Sequence, residues 1–476
     1  MTATRSVKPD LASEYTAVLD HAAGGGELKA FVRRVVDTVL ALGVPQRLRA
    51  VKERNAGTRA KPYLHALGKG NLVKLAYGEV LSSVARFPAK VGALYLHFPF
   101  CTKHCTHCHY DKQRSNSNAE WQEFPRFLIK ELDLILRSFG ICRLNAETIH
   151  FGGGTPSLIN EASWRSMLAC LTERADLART KEIAIEVDPA DLTERHLDFW
   201  QSTGVNRISL GIQSFDDRTL QLLNREHDGK AAIAAVELIK RLGPGNLNVD
   251  LMYGMPSRSL QSWHNDVQTA RALRPASITC YATRPNSTND LELAKGFPSE
   301  AERLVAHQMA IDLLLDAGYF QYSPNQFILS YTGACLAKNN RNRCQDVLGL
   351  GPRAHSIFQG WFYENGTGVD GYRASMESDT LSAVFGNRIN VEEAKLRYLQ
   401  FGIKLSGLRK PLPDNGISRL SYFELFRSDI EADHGPSLED LVQFGLLDRS
   451  HPDTLQLTHA GVLLSHEVVR GFARRH

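Results

Sequence analysis

The chain has 476 residues, 43% hydrophobic and 23% charged, which excludes a disordered or collagen-like polypeptide and supplies apolar material for about two or three domains. Its 56 Lys and Arg against 52 Asp and Glu leave a formal charge of +4, too diffuse for a surface that tracks nucleic acid. The longest apolar runs, such as Val35 to Val44 with Asp37 inside it, fall short of a membrane span, and residues 1–15 hold no apolar signal core, so a cytoplasmic enzyme is expected.

Residues 1–90 read as a helical extension. Leu28 to Leu42 carries apolar residues at helical spacing, Asn71 to Phe87 suggests a second such region, and Asn55 to Pro62 between them reads as a loop. From residue 93 the pattern changes to short apolar strands alternating with helices. Strands are expected at Ala93–Phe98, Glu147–Phe151, Glu182–Val187, Arg207–Ile212, Asn246–Met252 and Ser277–Ala282, with helices such as Glu123–Ser138, Ser163–Glu173, Ala231–Arg241 and Leu260–Leu273 between them. Such β–α units in succession call for a parallel sheet with right-handed crossovers. Neither GxGxxG nor GxxxxGK(S/T) follows the first strand, so the expected fold is α/β, a partial (β/α)6 barrel over 91–385 with its extension. Arg284 to Pro298 is a polar break, and a helix is expected near Ser299–Ala317. Residues 386–476 form a small accessory unit. There, Leu438–Leu447, a turn at Arg449–Asp453, Thr454–Leu457 and Thr458–Phe472 read as helix, short strands and a final helix, a winged-helix-like α+β order. It lacks a basic recognition stripe and is read as cover or scaffold.

Eight cysteines are too few for a disulfide scaffold. Cys142, Cys170, Cys280, Cys335 and Cys344 are scattered and read as buried or incidental thiols. Cys101, Cys105 and Cys108 instead fall together directly after the first strand, a bunching far beyond chance in a chain this poor in cysteine. In a parallel barrel the loops after the strands build the active site. Three thiolates in one loop hold three irons of a [4Fe–4S] cluster and leave the fourth open, where the amino and carboxylate groups of S-adenosylmethionine (SAM) can chelate. A Cys3His zinc site is the competing reading, because His97, His104, His107 and His109 are close in sequence.

Later strands end in polar groups at the same rim. Phe151-Gly152-Gly153-Gly154-Thr155-Pro156 removes side chains where a ligand must approach backbone. Glu186 in Ile185-Glu186-Val187-Asp188-Pro189 suits an ammonium or ribose hydroxyls. Gln213 follows in Gly211-Ile212-Gln213-Ser214-Phe215, then Arg225 in Asn224-Arg225, and Asp250 in Asp250-Leu251-Met252-Tyr253-Gly254-Met255-Pro256.

With the pattern Tyr95-x-His97-x-Pro99-Phe100-Cys101-x3-Cys105-x2-Cys108, these motifs make the chain resemble the radical SAM superfamily, and within it the oxygen-independent coproporphyrinogen III oxidase-like family. The resemblance runs from about Tyr95 to about His355. It implies a [4Fe–4S] cluster on Cys101, Cys105 and Cys108 and two SAM molecules. Tyr95, Gly153 and Glu186 match positions around the cluster-bound SAM. Gly154, Thr155, Gln213, Arg225 and Asp250 match positions around the second, with His107 at a usually aromatic position and Ala282 a looser match. Tyr95, Glu186, Gln213 and Arg225 are the implied catalytic residues. Gly349-Leu350-Gly351-Pro352-Arg353-Ala354-His355 resembles the family's glycine-rich segment near the cluster-bound SAM, which makes His355 an implied cofactor contact, with Arg353 in place of a common glycine. A structural Arg225–Asp250 ion pair is the plainer reading of that pair.

Two departures separate branches of the family. The oxidase has a further cysteine two residues after the third ligand, where this chain has Tyr110. The His-Asn…Tyr-Trp stretch of many relatives reads Asn339-Asn340-Arg341-Asn342-Arg343-Cys344 here. The expectation is therefore transfer of a SAM-derived carbon to an sp2 carbon of the substrate, as C-methylation or cyclopropanation, with oxidative decarboxylation of a porphyrinogen propionate and haem chaperoning as alternatives. Expected partners are a small-molecule substrate and a reductant such as flavodoxin or ferredoxin, with no nucleic acid or membrane, acting on a monomer.

Overall fold

The computed structural model describes residues 11–21, 26–56, 89–283, 296–410 and 415–472. The helix expected at 71–87 lies outside them, as do most of the loop at 55–62 and most of the break at 284–298.

Three helices open the chain: α1 (Leu11–His21), α2 (Gly26–Ala41) and α3 (Val44–Asn55). Helix α2 buries Leu28, Val32, Val35, Val36 and Val39, one stripe at helical spacing that faces the core. Pro45 starts α3, where its missing N–H has no intrahelical partner to lose.

The barrel strands are β1 (Ala93–Phe98), β2 (Thr148–Gly153), β3 (Glu182–Val187), β4 (Arg207–Gln213), β5 (Asn246–Tyr253) and β6 (Ser277–Ala282), parallel to one another in chain order. They read as near-continuous apolar runs because helices cover them. The intervening helices include α4 (Pro125–Ser138), α5 (Glu161–Arg174), α6 (Glu194–Ser202), α7 (Gly229–Leu242) and α8 (Leu260–Leu273). Asn160, Thr193, Asp228 and Ser259 cap α5 to α8 by accepting from backbone amides of the first turn. Helix α9 (Glu300–Asp316) begins with a capping box of Ser299 and Glu302 and is buried along most of its length.

The sheet continues beyond the expected strands. On one side β8 (Gln326–Ile328) adds antiparallel to β6, and β7 (Phe320–Ser323) adds antiparallel to β8. After the short helix α10 (Leu336–Asn342), β9 (Val347–Leu350) joins the other side parallel to β1. Beyond it, β10 (His355–Phe358), β11 (Trp361–Asn365) and β12 (Ala383–Arg388) follow antiparallel, giving a 12-stranded mixed sheet. Helix α11 (Val369–Glu377) lies between β11 and β12 in the chain.

Near the C-terminus, α12 (Val391–Gly402) leads to a small antiparallel sheet of Ile417–Ser418, Leu447–Asp448 and Thr454–Leu457. The helix expected at 438–447 is the second half of Ile430–Gln443, which stops before Gly445 in the left-handed region (φ 62°). The final helix is split at Leu464 into His459–Leu463 and Ser465–Gly471. One continuous apolar core runs from α1 through the barrel to Phe472. Among the described residues no helix is long and apolar enough to cross a membrane.

Candidate cluster and cofactor site

The cysteine loop is built from the end of β1. Phe98, Phe100 and Phe124 meet edge to face beneath it, with ring centroids 5.3–6.1 Å apart. The pair Phe100–Cys101 runs parallel to Gln113–Arg114 and closes the loop, with Gln113 N donating to Pro99 O (2.7 Å) and Ser115 N to Cys101 O (3.1 Å). Its far side is tied to the turn after β4. Thr106 N donates to Leu223 O (3.2 Å), Thr106 Oγ1 to Leu222 O (3.0 Å), and Asn224 Nδ2 to His104 O (2.8 Å).

Cys101, Cys105 and Cys108 are free, half-buried thiols on the wall of one cavity of about 440 Å3. Burial pushes the Cys101 thiol up to about 11, so it gains its charge only with a cation beside it. Arg225 Nη1 lies 3.3 Å from Cys105 Sγ, a cation against the sulfur. A Cβ on Gly154 would stand 2.4 Å from Phe100 O and 3.0 Å from Cys101 Sγ, so only glycine lets the second strand end pass beneath this loop. Among the described residues no three His, Cys, Asp or Glu side chains are grouped to hold a single metal ion. Three thiols on one cavity wall suit a cluster whose irons each take one thiolate.

The cavity gathers most of the expected ligand residues: His107, Gly153, Gly154, Thr155, Glu186, Gln213, Arg225, Asp250 and Ala282 share its wall with the cysteines. Two are placed otherwise. Tyr95 lies behind the wall with its Oη 3.1 Å from His97 Nδ1. His355 is exposed at the start of β10, paired across the strands with Glu364.

Glu186 sits over the glycine triplet. His150 Nε2 lies 2.9 Å from its Oε1 and Gly153 N donates to its Oε2 (3.3 Å). A Cβ on Gly152 would fall 2.9 Å from the carboxyl carbon. Burial alone would raise this acid, but the His150 contact and the Gly153 amide outweigh it and hold Glu186 below the usual carboxylate range. The result is an ionised carboxylate deep in the fold, suited to an ammonium.

Arg225 finds its carboxylate in Asp188, not Asp250. Its Nη2 lies 2.8 Å from Asp188 Oδ2 and also donates to Gly211 O (2.5 Å). His227 Nδ1 sits 3.2 Å from Asp188 Oδ1. Against the pull of burial, Arg225 and then His227 keep Asp188 below its usual range. Arg225 Nε is buried and has no hydrogen-bond partner among the described residues. Asp250 accepts instead from Ser209 Oγ (3.1 Å) and Asn248 Nδ2 (2.8 Å), and burial pushes it up to about 6.

Gln213 has φ 70°, in the left-handed region where a non-glycine residue costs roughly 1–3 kcal/mol, and the β4–β5 register shifts between Gly211 and Gln213. The irregularity ends the strand on a side chain that lines the cavity. His107 is pushed down to about 3 by burial, then by Arg225, and stays a neutral ring with an unpartnered Nδ1.

Four residues of this site were not among the expected ligand residues, Tyr110 having been marked only as a departure from the oxidase. Asp188 stands two positions after Glu186, on the same face of the strand end, which the two-residue period of a strand would have flagged. His150 pairs with Glu186 only across neighbouring strands. Tyr110 and Tyr281 are deep in the fold yet 56% and 44% exposed, because they face the open cavity.

Residues 95–270 match the family model described as the radical SAM superfamily. The chain is 32% identical over 273 residues to the mitochondrial radical S-adenosyl methionine domain-containing protein 1 of Bos taurus, covering 56% of this chain and 61% of that one. It is 31% identical over 269 residues to the heme chaperone HemW of Haemophilus influenzae, 55% of this chain and 69% of that protein. With the oxygen-independent coproporphyrinogen III oxidase of Paracoccus denitrificans it shares 27% over 326 residues, 65% and 72%. Its match thus spans about six-tenths of the mitochondrial relatives. The coproporphyrinogen III oxidase HemN of Escherichia coli has the same fold, with a TM-score of 0.72, 23% identity, and coverage of 87% of this chain and 96% of that one. The chain therefore belongs to the radical SAM superfamily, among the relatives of HemW and oxygen-independent coproporphyrinogen III oxidase.

Proposed function

We propose that the protein is a radical SAM oxidoreductase that dehydrogenates and decarboxylates a propionate-bearing substrate of the porphyrinogen type. The observation that carries this reading is the open space beside the thiols. Tyr110 and Tyr281 line this cavity of about 440 Å3 with 56% and 44% of their surface exposed, aromatic faces open to a substrate. Coverage does not separate the relatives, since heme chaperones span 55–67% of this chain and the oxidases 64–65%. These relatives support oxidase and chaperone chemistry over the carbon transfer that the Tyr110 departure had suggested.

A [4Fe–4S] cluster with SAM supplies, when bound, a 5′-deoxyadenosyl radical that removes one hydrogen atom from the substrate. The protein's part is positional and electrostatic. Cys101, Cys105 and Cys108 would hold the cluster, the Gly152–Gly154 backbone and Glu186 would hold the SAM amino end, and Arg225 would pair with a carboxylate. His150 and the Gly153 amide keep Glu186 charged and aimed before any ligand arrives. Asp188 does the same for Arg225. Gln213 and Asp250 line the same wall and suit a second SAM or the substrate's polar edge.

Anaerobic reconstitution followed by incubation with coproporphyrinogen III, methyl-labelled SAM, a one-electron reductant such as dithionite and an electron acceptor tests the reading. The expected products are carbon dioxide and a vinyl group for each propionate consumed, with an electron passed to an acceptor and 5′-deoxyadenosine formed. Label in the substrate would return the carbon-transfer reading, and tight haem binding with neither product would favour the chaperone.

A further inference from the structure

Two tyrosines reach the chamber from elements that are far apart in the sheet. Tyr110 follows Cys108 by two positions, on the loop after β1, and Tyr281 is the penultimate residue of β6. Strands β1 and β6 are the first and last of the parallel run, yet both tyrosines line the one cavity.

Each tyrosine has a neighbour that shares the cavity wall. The His109 ring is stacked on Tyr110, with centroids 4.9 Å apart and planes 23° from parallel. Among the described residues it is the only ring in contact with either tyrosine. Tyr281 pairs in register with Met252 of β5, so the two side chains rise on the same face of the sheet, and Met252 also lines the cavity. A thioether beside a ring is a soft, polarisable surface for an aromatic ligand. Phe98, Phe100 and Phe124, close to Tyr110 in sequence, are packed away from solvent, whereas Tyr110 and Tyr281 are left open. Large rings left uncovered inside a cavity are the side chains on which a flat ligand stacks.

We infer that Tyr110 and Tyr281 hold an aromatic ring of the substrate by stacking, with His109 keeping the Tyr110 ring in place. The adenine of SAM is the other flat ring this chamber would take. The groups suited to SAM, the glycine triplet and Glu186, stand at the ends of β2 and β3, three strands or more from Tyr281 on β6. That separation assigns the tyrosines to the substrate. A cysteine at position 110, as in the oxidase, presents no ring face, so this grip is a feature of the present chain. The inference rests on the proposed reaction for the identity of the ring, a pyrrole of the porphyrinogen, but not for the stacking itself.

The test measures binding to the reconstituted full chain by anaerobic equilibrium dialysis, with coproporphyrin III, indole-3-propionate and SAM as separate probes. Tyr110→Leu and Tyr281→Leu remove a ring and keep apolar bulk, and each should weaken coproporphyrin III about tenfold. Tyr110→Phe and Tyr281→Phe keep the ring and should stay within about threefold of wild type. His109→Ala should weaken the porphyrin about threefold, and His109→Phe, which restores a ring behind Tyr110, should bind like wild type. If the phenylalanine variants fall as far as the leucine variants, the hydroxyls hold the ligand and stacking is overturned. If coproporphyrin III binds equally to wild type and both leucine variants, stacking is overturned while the porphyrinogen reading stands. If wild type ignores coproporphyrin III but binds indole-3-propionate and loses it in the leucine variants, stacking stands and the porphyrinogen reading falls. Wild type that binds neither overturns the stacking. Leucine variants that lose SAM in place of the porphyrin show that the rings hold adenine, which overturns it too. Iron content and melting temperature are read alongside. Tyr281 is on a strand away from the cysteine loop, so its variants decide the matter if a change at Tyr110 disturbs the cluster.

Discussion

Glu186 owes its lowered pKa to the His150 contact and the Gly153 amide, with its side chain 39% exposed on the cavity wall. Glu186→Gln keeps the shape of the side chain and removes the charge that would pair with the SAM ammonium, a contact worth roughly 1.5–3 kcal/mol. The expected result is an increase of about tenfold or more in the SAM concentration needed for 5′-deoxyadenosine formation, with an unchanged cluster absorption spectrum. An unaltered rate at limiting SAM would show that Glu186 does not hold it. Glu131 on α4 illustrates the opposite balance. It accepts from Gly351 N (2.8 Å), Asn365 Nδ2 (2.6 Å) and Tyr372 Oη (2.7 Å), anchoring the glycine-rich segment. Burial nevertheless outweighs these donors and pushes its carboxyl from 4.5 up to about 7. A pKa higher in the fold than in the unfolded chain favours folding below the unfolded value, and that advantage is lost as pH rises towards 7, by up to about 1.4 kcal/mol per unit. Glu131→Gln removes this titration and also sets an amide against one of the donors. The variant should melt lower than wild type in acid, and its melting temperature should fall less between about pH 5 and 7. Parallel melting curves for the two proteins would refute this.

At the scale of elements, the turn after β4 and the cysteine loop form one unit, joined through Thr106, Asn224 and the Arg225–Asp188 pair. Arg225 is only 8% exposed in its side chain, so Asp188→Asn leaves a buried guanidinium without its counter-charge. Breaking a buried pair from one side costs about 3–5 kcal/mol. The variant should lose melting temperature and SAM binding together, whereas Glu186→Gln should lose only the second. A purified Asp188→Asn protein that melts like wild type would remove Asp188 from this role. The β1–β6 core of the barrel was legible because its strands are buried on both faces and stand out as apolar runs. Strand β9 was not, since its four residues include a glycine and its partner β1 lies about 250 residues earlier in the chain. The cysteines, the glycine triplet and the strand-end acids could be read because each is a local pattern. Pairings such as His150 with Glu186, 36 residues apart, or Arg225 with Asp188 depend on which strands become neighbours, and no local spacing encodes that. The break at Leu464 was invisible for a related reason: the apolar period continues through it while packing against the preceding sheet bends the chain.

Across the whole molecule, the first and last segments close on each other. Arg54 on α3 donates through Nη1 to Gly471 O (2.6 Å) and through Nε to Asp440 Oδ2 (2.7 Å), and Asn55 Nδ2 donates to Glu467 O (3.2 Å). Arg47 adds a bond to Phe444 O (2.9 Å). The barrel therefore lies between two segments clasped to each other, and its apolar core runs on into both. Asp440 is 42% exposed, so its attraction to Arg54 is screened and contributes little. The larger effect comes from the Gly471 carbonyl, which lies at a buried helix end and loses its donor when Arg54 is removed. Arg54→Met keeps the aliphatic stem and deletes the donors, and should cost about 1–3 kcal/mol. In a chain of this size that is a fall of a few degrees in melting temperature. The clasp is remote from the thiols, so iron content and the absorption of the reconstituted cluster should stay as in wild type. Limited proteolysis should cut the variant sooner near α3 and the final helix, because their release no longer requires breaking these bonds. Equal cleavage rates and an equal melting temperature in Arg54→Met would mean that the apolar core alone joins the two ends.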